Sequence, residues 1–313
     1  MTVGHQPVLV AEVLKGLGAV PGKHFVDATV GGGGHARALL AATAPNGLVL
    51  GIDDDAEAID RLVKERTVNP LLQRLQLVHG NLKNLAEIVR QERFTPTGGC
   101  LIDLGFSSDQ VDDESRGFSF RSDLLDLRYD PAGGGESAAA VVNRASAAEL
   151  AAIFQKYGEE PLAKRIAAQI VRERQHTPMA SGRQLSELVA RVYRKTFREP
   201  SRKHPATRVF QALRIAVNDE LGNLQAALDG AVEILPTGSR LAIISYHSLE
   251  DRTVKQFFRT AARDCICPPE LPCRCDHRAR LTLITTKPIR PLPSEIVSNP
   301  RARSAKLRLA QRC

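Results

Sequence analysis

The sequence predicts an α/β protein, with a parallel sheet covered by helices on both faces and an all-helical domain inserted into it. Three observations carry this. Short β-branched runs alternate with helical segments over the first hundred residues, which is the pattern of βαβ units. From about 137 to 197 only helical patterns occur. Strand-like runs then return towards the C-terminus, so the sheet resumes after the insert.

In chain order, HFVDATV (24–30) reads as a strand and HARALLAAT (35–43) as a helix. LVLGIDD (48–54) and AEAIDRLVKER (56–66) repeat the pair, and LQLVHG (75–80) with LKNLAEIVRQE (82–92) repeat it again. GGCLIDLGF (98–106) is the fourth strand, and PAGGGE (131–136) a surface turn. ELAAIFQKYG (149–158), PLAKRIAAQIVRERQ (161–175) and RQLSELVARVYRK (183–195) are helices of the insert. One long helix over 209–235 then leads into the strand SRLAIISYH (239–247). RLTLITTK (280–287) and AKLRLAQ (305–311) complete a seven-stranded sheet. The expected division is 1–110 with 215–313 for the sheet domain, and 111–214 for the insert.

The chain has 313 residues, 43% hydrophobic and 25% charged, an ordinary balance for a soluble globular protein. No run approaches the ~18 apolar residues of a membrane span. MTVGHQPVLVAEVL lacks the basic start, apolar core and cleavage site of a signal peptide, so a cytoplasmic location and no membrane partner are expected. The net charge of +8 favours polyanionic partners, because lysines and arginines that meet phosphates release condensed counterions. Arg191–Arg214 carries eight Lys/Arg against the single acid Glu199, and NPRARSAKLRLAQR (299–312) is basic throughout. The acidic run Asp53, Asp54, Asp55 lies elsewhere, so the basic surface is expected to be separate from the glycine turn.

That turn, VDATVGGGGHARALL (26–40), joins a strand to a helix through four glycines. Backbone N–H groups and the positive end of the following helix suit a nucleotide-like ligand. Asp53 closes the next strand, where a carboxylate can accept hydrogen bonds from both ribose hydroxyls. Two cofactors fit. Gly31-x-Gly33-x-x-Ala36 satisfies a dinucleotide fingerprint, and Asp27-Ala-Thr-Val followed by glycines fits the loop of S-adenosylmethionine enzymes. Asp103 at the tip of the fourth strand, the late C-terminal strand pair and the lack of a Tyr-x-x-x-Lys hydride-transfer pair favour the second.

HQPVLVAEVL, VDATVGGGGHA, DLGFSSDQVDDESRGFSF, LDLRYD, VVNRAS, YGEE, ATRVFQALRIAVNDEL, ISYHSLEDRTVKQFF and NPRARSAKLR together closely resemble the bacterial 16S ribosomal RNA (cytosine-N(4))-methyltransferase family, from His5 to Arg308. The resemblance implies a Rossmann-like class I methyltransferase with a helical domain inserted after the fourth strand. It implies S-adenosylmethionine as cofactor, a cytidine in the decoding region of 16S rRNA or the small ribosomal subunit as substrate, and leaves a homodimer open. Carried over by residue, the cofactor contacts fall on Gly33, Gly34, His35, Asp53, Leu82, Asp103 and Gln110. Leu82 departs from the Phe of many relatives, so it can cover an adenine face but offers no ring. Phe106 and Asp109 stand where Val and Pro are common.

The exocyclic amine of cytosine is a poor nucleophile, because its lone pair is delocalised into the ring. It must be held in line with the methyl donor while an acceptor draws on its N–H. Asp103 is the expected acceptor, and Ser107, Ser108, Tyr246, His247 and Ser248 are expected to meet the substrate. Tyr246 and His247 can stack on or bond to a base; Ser248 can meet a base edge or cap the helix that follows. The target must be unpaired or flipped out, and Arg301, Arg303, Lys306 and Arg308 with the basic helices are candidates to clamp the backbone around it. Two other functions compete: an NAD-dependent oxidoreductase, and a non-catalytic RNA-binding ribosome-assembly factor. Intact cofactor positions argue against the latter.

Cys265, Cys267, Cys273 and Cys275, with His277 after them, have thiolate density enough for zinc. Their C-x-C spacing departs from the usual C-x-x-C, and the expectation is reduced thiols with no metal. Disulfides are not expected in a reducing compartment.

Overall fold

The computed structural model describes residues 7–105, 117–197, 204–268, 270 and 272–313. The chain divides into two compact units, Met1–Gly105 with Leu221–Cys313, and Phe106–Glu220.

The first unit begins with helix α1 (Val10–Leu17) and alternates β1 (Phe25–Asp27), α2 (Gly34–Ala42), β2 (Val49–Asp53), α3 (Ala56–Arg66), β3 (Leu75–His79), α4 (Leu85–Gln91) and β4 (Gly99–Asp103). Neighbouring strand residues point to opposite faces, and both faces are apolar. Phe25, Val49, Leu101 and Ala242 pack with Leu39, Leu40 and Leu62 on one side. Val26, Leu50, Cys100 and Leu241 pack with Ile88, Leu228 and Phe258 on the other. A sheet buried on both faces needs these continuous apolar strands, which is why the runs were legible.

The second unit contains α5 (Ala138–Arg144), α6 (Ala147–Gly158), α7 (Ala163–Arg174), α8 (Gly182–Thr196) and α9 (Thr207–Val217). Phe154, Ile166, Leu188 and Leu213 lie in its core. Ser146 starts α6 with a reciprocal capping box to Glu149, and Ser181 caps α8.

The expected single helix over 209–235 is two helices, α9 and α10 (Glu220–Ile234), broken where Asp219 adopts φ +46°. The Asn218 amide donates to the carbonyls of Leu127 at 2.7 Å and Arg214 at 2.9 Å, and its oxygen accepts from Tyr129 N–H at 2.8 Å. These contacts to a distant loop override a locally helical sequence.

The chain then adds β5 (Arg240–Ser245), α11 (Ser248–Ala261), β6 (Leu281–Leu283), α12 (Pro293–Ser298) and β7 (Lys306–Arg312). The seven strands are ordered β3-β2-β1-β4-β5-β7-β6. The sheet is mixed rather than wholly parallel, since β7 runs antiparallel to both β5 and β6. β6 is therefore parallel to β5 and one place removed from it, with β7 filling the gap from the opposite direction. Among the described residues no helix is long and apolar enough to cross a membrane.

Candidate active site

Strand order reverses between β1 and β4, and the crevice beyond the carboxyl ends of parallel strands at such a point is where doubly wound sheets bind ligands. Three strands end there in an acid: Asp27 on β1, Asp53 on β2 and Asp103 on β4. The register pairs Asp27 with Gly51 and Leu101, so Asp53 and Asp103 stand level with each other at the tips and Asp27 lies two residues deeper between them.

The glycine turn closes on itself. Gly33 N–H donates to the Val30 carbonyl at 2.7 Å, and Gly31 N–H donates to Asp53 Oδ2 at 2.7 Å. Gly33 has φ +76°, and a Cβ there would lie 2.8 Å from Leu62 Cδ2. It precedes α2 with no side-chain cap, leaving the helix N-terminus open to a ligand. Asp53 Oδ1 accepts from Asp55 N–H at 2.9 Å. Burial pushes the Asp53 carboxyl up to about 6, against the pull of these two backbone donors.

Beside the turn, the first turn of α2 carries His35, whose Nε2 faces Asp103 Oδ2 at 3.5 Å, an ion-pair approach without good hydrogen-bond alignment. Burial opposes a charged ring, but the Asp103 carboxylate outweighs it, with Asp27 and Glu295 behind, and the His35 pKa is raised. Tyr246 Oη donates to Asp103 Oδ1 at 3.0 Å, and Asp103 N–H donates to Thr29 Oγ1 at 2.7 Å. Burial, then the Asp103 charge, lifts the Tyr246 phenol well above its ordinary value, so it stays a donor. Asp27 is fully buried with Oδ2 unpartnered, and burial pushes its carboxyl up to about 7 despite His35. Asp27 opened the glycine motif in the sequence. A lone acid inside an apolar strand was the signal of its burial, and of a part in the site.

Gly33, Gly34, His35, Asp53, Asp103 and Tyr246 thus converge. Leu82 opens a 3-10 turn after β3 and packs half-buried against the core. His247, rather than Ser248, is the N-cap of α11: its Nδ1 accepts from Glu250 N–H at 3.3 Å, while Glu250 Oε2 accepts from His247 N–H at 3.2 Å. Its Nε2 lies 3.1 Å from Glu250 Oε1. Ser248 is exposed at the first position of the helix. Phe106, Ser107, Ser108, Asp109 and Gln110 lie outside the described residues.

The basic residues divide. Lys306 and Arg308 both pair with Asp251, at 2.9 and 2.7 Å, and Arg308 is buried, so their charge fastens β7 to α11. Arg214 is likewise buried, held by Glu220 at 2.7 Å, and Arg191 pairs with Glu173. Arg194, Lys195, Arg208, Arg301 and Arg303 are exposed, whereas Arg198, Arg202 and Lys203 lie outside the described residues.

The sequence profile of the MraW methylase family matches residues 2–313. The ribosomal RNA small subunit methyltransferase H of Thermomicrobium roseum is 52% identical over 316 residues, covering 100% of this chain and 94% of its own. Its counterpart in Syntrophotalea carbinolica is 49% identical, with 98% of each chain covered. A crystal structure of an rRNA methylase from Streptococcus thermophilus aligns with 95% of this chain and 90% of its own, at 12% identity and a TM-score of 0.41.

Proposed function

The chain belongs to the MraW methylase family, and from that premise we propose that it methylates the exocyclic amine of a cytidine in the decoding region of 16S rRNA, using S-adenosylmethionine. The observation that carries the reading is Asp103, held between Tyr246 and His35 beside the glycine turn.

The residues fit this cofactor. Gly33 and Gly34 let the turn pack closely against Leu62, Arg37 and Pro7, and α2 starts with no side-chain cap, so its N-terminal N–H groups can face the cofactor. Asp53 offers a ribose carboxylate at the adjacent strand tip. Asp103 and the Tyr246 oxygen give the strand tips an electronegative edge suited to a positively charged sulfur, with the buried Asp27 carboxyl behind them. Bound there, S-adenosylmethionine supplies an electrophilic methyl group. Leu82 and Gln110 are assigned to the adenosine side, with Leu82 acting by apolar cover alone.

Asp103 is the acceptor for the cytosine amine. Each carboxylate oxygen has two acceptor sites, so Tyr246 and His35 leave room for an incoming N–H. The Asp103 carboxylate raises the His35 pKa against the burial of the ring, which favours a protonated imidazole beside the acceptor. Tyr246 fixes the orientation of the carboxylate. His247 holds the α11 entry that positions Tyr246, while Ser248 is exposed for a base edge, with Ser107 and Ser108 assigned to the same substrate. The 106–220 unit, with Arg194 and Lys195 on its surface, is assigned to RNA binding.

The test is transfer of labelled methyl groups to small ribosomal subunits that lack the modification, with mass spectrometry to place the label. Label on a cytosine amine is the expected result. Binding of NAD in place of S-adenosylmethionine, or RNA binding without transfer, would overturn the proposal.

A further inference from the structure

The loop between α11 and β6 gathers four thiols at one point. Cys265 Sγ lies 3.3 Å from Cys273 Sγ and 3.7 Å from Cys275 Sγ, and Cys273 Sγ lies 3.9 Å from Cys275 Sγ. Together with Cys267, all four sulfurs fall within 4.8 Å of one another. We propose that Cys265, Cys267, Cys273 and Cys275 bind a single structural zinc ion, which folds this loop.

The spacing fits an ion better than either alternative. A disulfide requires sulfurs ~2.05 Å apart, and every cysteine is unpaired. A tetrahedron with zinc–sulfur bonds of ~2.3 Å has sulfur–sulfur edges of ~3.8 Å, around which the three distances above scatter. The short C-x-C spacing, which counted against metal in the sequence, is resolved by the local fold. Cys267 N–H donates to Cys265 Sγ at 3.4 Å, so the chain turns back over Ile266 and brings both sulfurs to one side. The second pair closes against the first, with Arg274 N–H donating to Cys267 Sγ at 3.4 Å. Backbone donors aimed at sulfur orient metal-bound thiolates and spread their charge.

Four thiolates around a divalent ion leave a net charge of about −2, which the backbone N–H groups of Cys267 and Arg274 aimed at sulfur help to offset. His277 is not needed as a ligand, since its Nδ1 makes a 2.9 Å bond with the Arg263 carbonyl. Four sulfurs close the coordination sphere, so the ion is structural rather than catalytic. Its work is local. Among its described residues the segment from Ala262 to Arg280 contains no helix or strand, and its neck is closed by Arg280 N–H donating to the Ala261 carbonyl at 2.7 Å. A loop without a core of its own gains its fold from the metal–ligand bonds.

The test is the metal content of the full chain purified without chelator, read by inductively coupled plasma mass spectrometry. About one zinc per chain is expected, falling to background in the Cys265→Ser/Cys273→Ser double variant. The wild-type protein reloaded with cobalt(II) should show the thiolate charge-transfer band and intense visible bands of a tetrahedral four-sulfur site, whether or not the variant folds. Intact-mass loss of two hydrogens per bridge would show disulfides and overturn the proposal. Four freely titrating thiols in folded protein without metal would overturn it too, as would stoichiometric iron in place of zinc.

Discussion

Tyr246 donates its phenolic hydrogen bond to Asp103 at 3.0 Å, joining the residue just beyond β5 to the tip of β4. The same carboxylate faces His35 at 3.5 Å through its other oxygen. Asp103 therefore has its orientation set from one side and its charge supported from the other.

Tyr246→Phe removes the orienting bond and keeps the ring. A hydrogen bond to a charged group is worth ~1.5–3 kcal/mol, so methyl transfer should slow by roughly 10- to 100-fold. Single-turnover transfer to small subunits measures this, with Asp103→Ala expected to abolish turnover. Unchanged rates in either variant would remove that residue from the site.

Asp27→Asn should alter how stability depends on pH. Burial raises the Asp27 carboxyl to about 7 in the folded state, so between about 4 and 7 the folded chain binds more protons than the unfolded chain. Stability from this group is thus highest in acid, falls as pH rises through that window, and levels off above it. Asparagine removes the dependence, and at pH 8 the cofactor-free variant should gain stability by up to ~4 kcal/mol. Urea unfolding at pH 5 and pH 8 tests it, and an equal effect of the substitution at both pH values would refute it.

The parts of the fold legible in sequence were those fixed by local pattern. LVLGIDD and AEAIDRLVKER became β2 and α3 nearly residue for residue, because burial on both sheet faces and a clean N-cap at Asp55 leave their marks locally. The break at Asn218 was not legible, since its cause is a bond to Leu127 some ninety residues away. The direction of β7 was hidden for a similar reason: apolar alternation carries no strand polarity. At the site, Asp53 and Asp103 were visible as acids ending apolar strands. The capping role of His247 depends on Glu250 turning back onto it, and a Ser after a His reads equally well as the cap. The Cys cluster was visible in composition, but the convergence of its sulfurs was not.

Arg214 and Arg194 belong to one basic stretch and should behave oppositely. Arg214 is buried against Glu220, and removing one partner of such a pair strands the other charge, at a cost of ~3–5 kcal/mol. Arg214→Ala should lower the melting temperature sharply. Arg194→Ala with Lys195→Ala should leave melting unchanged, weaken RNA binding and flatten its salt dependence by ~1–2 in log–log slope. Thermal melts and salt titrations of RNA affinity separate the two. An unchanged salt slope in the double variant would exclude these residues from the RNA surface.

Gly33→Ala tests the cradle, provided that backbone strain is separated from the site. Gly22 and Gly33 both have positive φ, +81° and +76°, so alanine at either forces a left-handed conformation costing ~1–2 kcal/mol. At Gly22 a Cβ meets nothing within 4 Å, and the residue lies in the turn leading into β1, at the sheet end opposite the acids. At Gly33 it would lie 2.8 Å from Leu62 Cδ2 and 2.9 Å from Arg37 Nη1. That arginine holds the Gly32 carbonyl at 2.6 Å and pairs with Glu65, so relieving the clash moves the turn itself. Both variants should lose similar stability to strain, whereas only Gly33→Ala should lose affinity for S-adenosylmethionine, by at least ~10-fold. Calorimetric binding alongside thermal melts distinguishes them, and equal affinities in the two variants would mean that the cofactor does not rest on this turn.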